Sequence, residues 1–247
     1  KGVKFHNGAE FNADDVVASM ARVSHPTSPL RGNIPAYVST TKVDDYTVDI
    51  EVNSPNPLFL NDMTNIFMFD KDWLVDNKSE LPTDVGSKVE GYATYNTNGT
   101  GPFKVESRVP DSKTVLIKND GWWDTPKHNL DRIEFMPITS AATRVAALLS
   151  GEIDLTDGAP VQDLERLKSS PEIKVIERTD LRTVHMVFNR HETFADGREN
   201  FFNNIKVRQA IDHAIDRQLI FKRVMRGKSH VAGTMVAPEI PGYSAEL

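Results

Sequence analysis

The 247 residues contain no cysteine. That excludes disulfides, thiol nucleophiles and cysteine-ligated metal sites, and it leaves the redox character of the compartment open. No apolar run approaches the roughly 20 residues that a membrane-spanning helix needs. Basic residues do not gather into a stripe. The 29 Lys and Arg are interspersed with 35 Asp and Glu, giving a formal net charge of −6, which argues against a nucleic-acid partner. There is no His-Glu-x-x-His pair and no Gly-x-Ser-x-Gly elbow. No pair of carboxylates stands out as an acid and base couple; Asp154 and Asp157 are close in sequence but read as solvated acids. Neither a cofactor nor a resident metal is expected. The chain begins Lys1-Gly2-Val3-Lys4-Phe5, with no initiator Met and no signal peptide, and it stops in loop chemistry over 238–243. It therefore reads as a piece of a longer protein.

What is present is ordinary globular composition, 39% hydrophobic and 26% charged, enough for one large domain or two modest ones. The sharpest signals lie between Asn98 and Leu155. Asn98-Gly99-Thr100-Gly101-Pro102 is a turn cluster. Phe103, Val105, Ser107 and Val109 alternate with Lys104, Glu106 and Arg108, the period of a half-buried strand. Pro110-Asp111-Ser112 turns the chain into 114–118, predicting an antiparallel hairpin. A helix over 141–150 ends at Gly151 and leads to another strand.

Upstream, Asn7-Gly8 marks a turn. Asn12 with Asp15 forms a capping signal for a helix over 13–23, carrying Val16, Val17, Met20 and Val23 inward and ending before Pro26. Residues 26–35 read as a loop. Val48, Ile50 and Val52 define a strand. Residues 59–73 suggest a short helix and a strand, and 76–95 a helix plus loop. Downstream, Pro160 suits the first position of a short helix with Leu164 and Leu167. Residues 173–177 and 184–189 are strand candidates. Val207, Ile211, Ala214 and Ile215 share a helical face, and Asp216 can cap a following helix that ends near Gly227. Strands mixed with helices point to a mixed α/β (α+β) fold.

Several motifs invite chemistry that their setting does not support. Gly227-Lys228-Ser229 resembles the tail of a phosphate loop, but Lys222 stands where the first glycine is needed and the segment follows a helix. A helix cap accounts for it. Asn98-Gly99-Thr100 is formally a glycosylation acceptor. Trp122-Trp123 reads as core packing before a binding platform. His185 and His191 flank the end of one strand candidate and would serve a shared ligand; the plainer alternative is a solvated loop residue for His191 and a core or cleft residue for His185.

Five stretches, in order, carry a resemblance. They are Lys1-Gly2-Val3-Lys4-Phe5-His6-Asn7-Gly8 with Phe11-Asn12-Ala13-Asp14-Asp15-Val16-Val17; Gly99-Thr100-Gly101-Pro102-Phe103; and Trp123-Asp124-Thr125-Pro126 with Leu130-Asp131-Arg132-Ile133. Then come Arg144 to Leu149 followed by Gly151-Glu152-Ile153-Asp154, and Val207-Arg208-Gln209-Ala210-Ile211 through Ala214-Ile215-Asp216-Arg217. Together they resemble the family 5 extracellular solute-binding proteins of ABC transporters, the dipeptide- and oligopeptide-binding group.

The resemblance implies a type II periplasmic binding protein-like fold, here a partial two-lobe fold with an extra subdomain. Residues 1–97 would be that subdomain, 98–182 the main part of lobe one, and 183–247 the start of lobe two. It implies capture of a peptide or related small solute in the periplasm, or outside the cell on a lipoprotein anchor, and delivery to a membrane permease by a monomer that is not an enzyme. Pocket-facing residues would be Tyr37 at the end of the 29–37 loop, Asp157 and Gly158, and His185 and Val187. Thr156-Asp157-Gly158-Ala159 and Val184-His185-Met186-Val187 depart from the peptide-binding pattern, so nickel, haem, opine and oligosaccharide ligands stay open beside peptides. A hydrolase and a ligand-sensing module are the readings from other classes. Gly101-Pro102, Asp131 and Arg208 are expected to be structural, and Ala146, Leu148 and Leu149 to be core.

Overall fold

The computed structural model describes residues 1–84, 86, 90–240 and 243–244. The parts of the 76–95 and 238–243 readings that fall on 85, 87–89 and 241–242 lie outside the described residues. The chain divides into two compact units, Lys1–Pro137 and Ile138–Leu247.

The first unit is built on α1 (Ala13–Ser24). The Asn12 side chain accepts from the Asp14 N–H at 2.8 Å, and the Asp15 carboxylate accepts from the Asn12 N–H at 2.8 Å. This is the capping box that the sequence announces. His25, held extended before Pro26, ends the helix. Met20 and Val23 bury against Ile34 and Ile66, with Val16, Tyr37, Met63 and Met68 packed around them. Two polar residues of α1 are buried as well, and both are satisfied. Ser19 Oγ accepts from the Phe69 N–H at 2.8 Å, and the second oxygen of Asp15 accepts from the Lys71 N–H at 2.8 Å. Segment 69–71 is thereby fixed to α1 at the point where α3 begins.

β1 (Tyr37–Asp44) and β2 (Thr47–Val52) form an antiparallel ribbon. α2 (Phe59–Met63) and α3 (Lys71–Asp76) follow. Residues 59–73 therefore hold the expected short helix, while the expected strand is instead the coil before α3. α4 (Tyr92–Tyr95) is a single turn. β3 (Phe103–Val109), β4 (Lys113–Lys118) and β5 (Arg132–Phe135) make a three-stranded antiparallel sheet in that order. Asp111 takes φ +56 in the tight turn between β3 and β4, a conformation that Asp tolerates. Trp123 is 54% exposed and Trp122 is only partly buried, so neither is the core residue expected. The Trp123 indole leans on backbone instead, donating from Nε1 to the Thr100 carbonyl at 3.1 Å.

Asp70 is the polar centre of this unit. It is buried, it caps α3 through the N–H groups of Asp72 and Trp73, and its other oxygen accepts from Asn7 at 2.7 Å and Asn98 at 3.0 Å. Asn98 Oδ1 in turn accepts from the Asn7 N–H at 3.1 Å. Three segments distant in sequence meet on one carboxylate. Asn98, 4% exposed and fully engaged, is no glycosylation acceptor in the folded chain.

The regular elements among the described residues of the second unit are helices, joined by long irregular segments. α5 (Ala141–Ser150) is capped by the Ser140 hydroxyl and ends at Gly151, whose φ of +75 suits glycine. Val145 and Ala147 are buried, but Ala146 is exposed and Leu148 and Leu149 are half-buried, so the expected core face is rotated by one position. α6 (Leu164–Lys168) buries Leu167. Pro160 stands outside that helix, at a turn where its carbonyl accepts from the Asp163 N–H at 2.9 Å. α7 (Ile205–Ala214) is capped by Asn204. α8 (Arg217–Leu219) runs into a π-turn (Ile220–Val224), and Gly227, φ +75, closes it as a cap and not as a phosphate loop. Glu177 is clamped by Lys168 and Lys228 at 2.6 and 2.7 Å. Hydrogen bonding from Lys168 and then Lys228 pulls its carboxyl down to about 2.

Two arginines repeat one device. Arg144, in the first turns of α5, donates from Nη1 to the carbonyls of Ile138 and Thr139 at 2.6 and 3.1 Å. Arg208, at the same place in α7, donates from Nη1 to Phe202 and Asn203 at 2.6 and 3.1 Å. Arg208 is thus a structural residue, as expected.

No ladder strand occurs among the described residues at 152–155, 173–177 or 184–189, against expectation. These segments carry strand-like side chains, but a strand exists only when its N–H and C=O groups find a neighbouring ladder. Among the described residues none is provided, and several apolar side chains stay in solvent: Val184 is 89% exposed and Val187 78%.

Candidate functional site

The motif residues come first, because they could be mistaken for a site. The Asn98–Pro102 turn is consumed by internal bonds. The carbonyl of Gly101 accepts from His6 Nε2 at 3.0 Å and Asn119 Nδ2 at 3.1 Å, that of Thr100 from Trp123, and that of Pro102 from the Asn119 N–H at 2.8 Å. The Gly99 N–H points at His6 Nδ1 at 3.3 Å. His6 is therefore neutral with its proton on Nε2, and burial, then the nearby Lys104, holds its pKa below 6.5 while the Gly101 bond opposes them. This turn joins the amino-terminal motif to the sheet, and its carbonyls at 99–102 are all used inside the fold.

The joint carries a pH prediction. The folded state binds fewer protons at His6 than the unfolded state, so the stability it contributes is complete above 6.5 and is lost as pH falls below that value. Asp15, raised by burial above 3.8, has the opposite sign but is unchanged by mutation at position 6. Wild type is expected to lose urea midpoint on acidification more steeply than His6→Gln. Parallel pH profiles would contradict the joint.

The five pocket-facing expectations fall in both units. Tyr37 opens β1, half-buried, with its ring on the Met20 cluster. It lines a cleft of about 250 Å³ with Ser24, Arg31, Ile34, Pro35 and Val38. The surrounding turn is set by backbone bonds from the Ile34 N–H to Arg31 O at 3.2 Å and from the Tyr37 N–H to Ile34 O at 3.1 Å. In the second unit Asp157 and Gly158 form an exposed turn, with Gly158 at φ +68 and open space where a Cβ would stand. His185 and Val187 lie on the exposed 184–189 segment. Among the described residues no hydrogen bond joins the Asp157 turn to that segment. His191 is held through its backbone: its carbonyl accepts from Asn200 Nδ2 at 2.8 Å and Asn203 Nδ2 at 3.0 Å. No group of His, Asp and Glu suited to hold a metal is found among the described residues. No helix among them is long and apolar enough to cross a membrane.

The sequence reading singled out the 29–37 loop, which holds Arg31, Ile34, Pro35 and Tyr37 of this cleft, but not Ser24 or Val38. Ser24 and Arg31 meet there because α1 ends at Pro26 and the chain returns through the turn at Arg31–Asn33. The three prolines at 26, 29 and 35 were the only local hint of that tight return.

Comparison with known proteins agrees with the family resemblance. The family model for bacterial extracellular solute-binding proteins, family 5 Middle, matches residues 1–247. Heme-binding protein A of Haemophilus influenzae is 30% identical, over 100% of this chain and 46% of its own length. The dipeptide-binding protein of Escherichia coli is 27% identical, over 100% of this chain and 47% of its own. Among solved structures, the oligopeptide-binding protein AppA of Bacillus subtilis, in complex with a nonapeptide, superposes with a TM-score of 0.78 at 25% identity, covering 99% of this chain and 46% of that one. The periplasmic binding protein DppA of Helicobacter pylori, in complex with the peptide STSA, gives 0.76 at 27% identity, covering 100% and 49%. The chain thus spans about half the length of the relatives it matches. Its fold is mixed α/β, and its structural neighbours are type II periplasmic binding proteins. The chain belongs to the bacterial extracellular solute-binding proteins, family 5.

Proposed function

We propose that the protein carrying this chain is the solute-capturing component of an ABC importer. It takes up a peptide or related small solute in the periplasm, or on the outer face of a membrane as an anchored lipoprotein, and hands it to a membrane permease. It works as a monomer and without catalysis. The observation that carries this reading is the family match across all of residues 1–247. The named ligands of its relatives, haem, dipeptide and glutathione among them, define the panel to test. Binding proteins of this kind work by closure: a solute that prefers the closed arrangement shifts an open–closed equilibrium. Tyr37, Asp157, Gly158, His185 and Val187 are proposed to face the solute, and 1–97, 98–182 and 183–247 are proposed as the functional subdivisions.

The test is a thermal-shift screen of the protein carrying this chain against di- to oligopeptides, glutathione, opines, oligosaccharides, nickel complexes and haem. A true solute at about 100 times its dissociation constant stabilises by about 2.7 kcal/mol, which moves the midpoint by a few degrees. We expect one chemical class to do so. A flat panel would overturn the proposal, and turnover of any panel member would overturn the non-enzymatic part of it.

A further inference from the structure

The cleft beside Tyr37 contains a cation and no counter-charge. Of its six lining residues only Arg31 is charged, and among the described residues its guanidinium has neither an ion-pair nor a hydrogen-bond partner. Arg31, Pro35 and Val38 are exposed, and two of the other walls are packed. Ile34 is buried in the Met20–Val23 cluster and Tyr37 packs against the same cluster. The ladder slips register between Tyr37 and Ser39, which takes Val38 out of the pairing. Such an irregularity bends a strand and re-aims its side chains, and it is over-represented at sheet edges and next to active sites.

We propose that this cleft is a carboxylate site, deepening the reading of Tyr37 as a solute-facing residue and resting on it. The planar guanidinium of Arg31 matches a carboxylate through two parallel N–H···O bonds. The Tyr37 hydroxyl supplies one further donor. Ser24 already donates its hydroxyl to Ala21 O at 3.2 Å, so it serves as a polar wall and not as the main donor. One cation in a cleft whose accessible lining is mainly polar suits a small monoanion, as at a peptide carboxy-terminus or a short organic acid. A phosphate dianion would ask for more than one positive group.

The test follows the arginine side-chain Nε–H resonances of the ¹⁵N-labelled protein during titration with isovalerate, acetate and inorganic phosphate. One resonance, assigned to Arg31 by its loss in Arg31→Lys, should shift saturably with isovalerate and acetate. Arg31→Gln should weaken the carboxylates by about 10- to 100-fold, and Tyr37→Phe by up to about tenfold. Absence of any shift, a response to phosphate alone, or unchanged carboxylate affinity in Arg31→Gln overturns the site. A saturable Arg31 shift beside a flat solute panel would retire the importer reading and leave the carboxylate site standing. A binding solute with a silent Arg31 would do the reverse.

Discussion

Asp70→Ala is expected to destabilise the Lys1–Pro137 unit by about 2–4 kcal/mol, read as a fall in urea midpoint at unchanged slope. Three losses add up. The α3 cap disappears, worth roughly 1 kcal/mol. The amides of Asn7 and Asn98 both lose the acceptor they share, and Asn98 is buried, so its N–H groups stay dry. Each stranded buried donor costs about 1–3 kcal/mol. Against a typical total of about 5–15 kcal/mol, the loss is large. Asp70→Asn keeps the shape and one acceptor oxygen, and should recover part of the difference. A cost below about 1 kcal/mol for the alanine variant would mean that the three segments are held together by something other than this carboxylate.

The second large effect is expected at Asn200 in the other unit. Asn200 is 1% exposed, and its side chain bonds the carbonyls of Asn189 and His191 at 2.8 Å each while accepting from the Phe202 N–H at 3.0 Å. Its own N–H reaches Glu192 O at 3.0 Å. Phe188, Phe194, Phe201 and Phe202 stack around this loop with ring centroids 4.5–6.0 Å apart. Asn200→Ala removes three bonds from a buried place and should cost about 2–4 kcal/mol. Amide hydrogen exchange should rise across 189–204 before it rises elsewhere. If exchange there is unchanged, Asn200 is not what orders the loop. If His185 and Val187 face the solute, as proposed, the same variant should also bind it more weakly, since their segment runs into Asn189.

The elements readable in the sequence were those whose cause is local. Asn12 and Asp15 announced α1 because both halves of the cap lie within four residues. Pro110-Asp111-Ser112 announced the β3–β4 turn, and Gly151 the end of α5. β1 was not readable. Its register slips at Tyr37–Ser39 and again at Lys42–Asp44, so Tyr-Val-Ser-Thr-Thr-Lys-Val-Asp never shows a clean period of two. The failures at 173–177 and 184–189 have the opposite cause. Their side chains have the right pattern, but pairing is supplied by residues far away and no pattern within the segment can report it. The candidate site was legible only through the resemblance. Nothing about Tyr37, Asp157, Gly158, His185 or Val187 as residue types distinguishes them from their neighbours, and Arg31 was covered only as part of the 29–37 loop.

The paired arginines of α5 and α7 bear on how this chain tolerates change. A positive charge near a helix start works against the helix dipole, so Arg144 and Arg208 need another reason to be there. The reason is that each grips two main-chain carbonyls. Every amino acid offers the same carbonyl, so the grip is indifferent to which side chains stand at 138–139 and 202–203. The grip itself therefore places no demand on those side chains, although Phe202 and Asn203 are held by ring contacts and by the His191 carbonyl, whereas Arg→Lys at either place, with one compact ammonium in place of a broad fork, would loosen the approach to its helix.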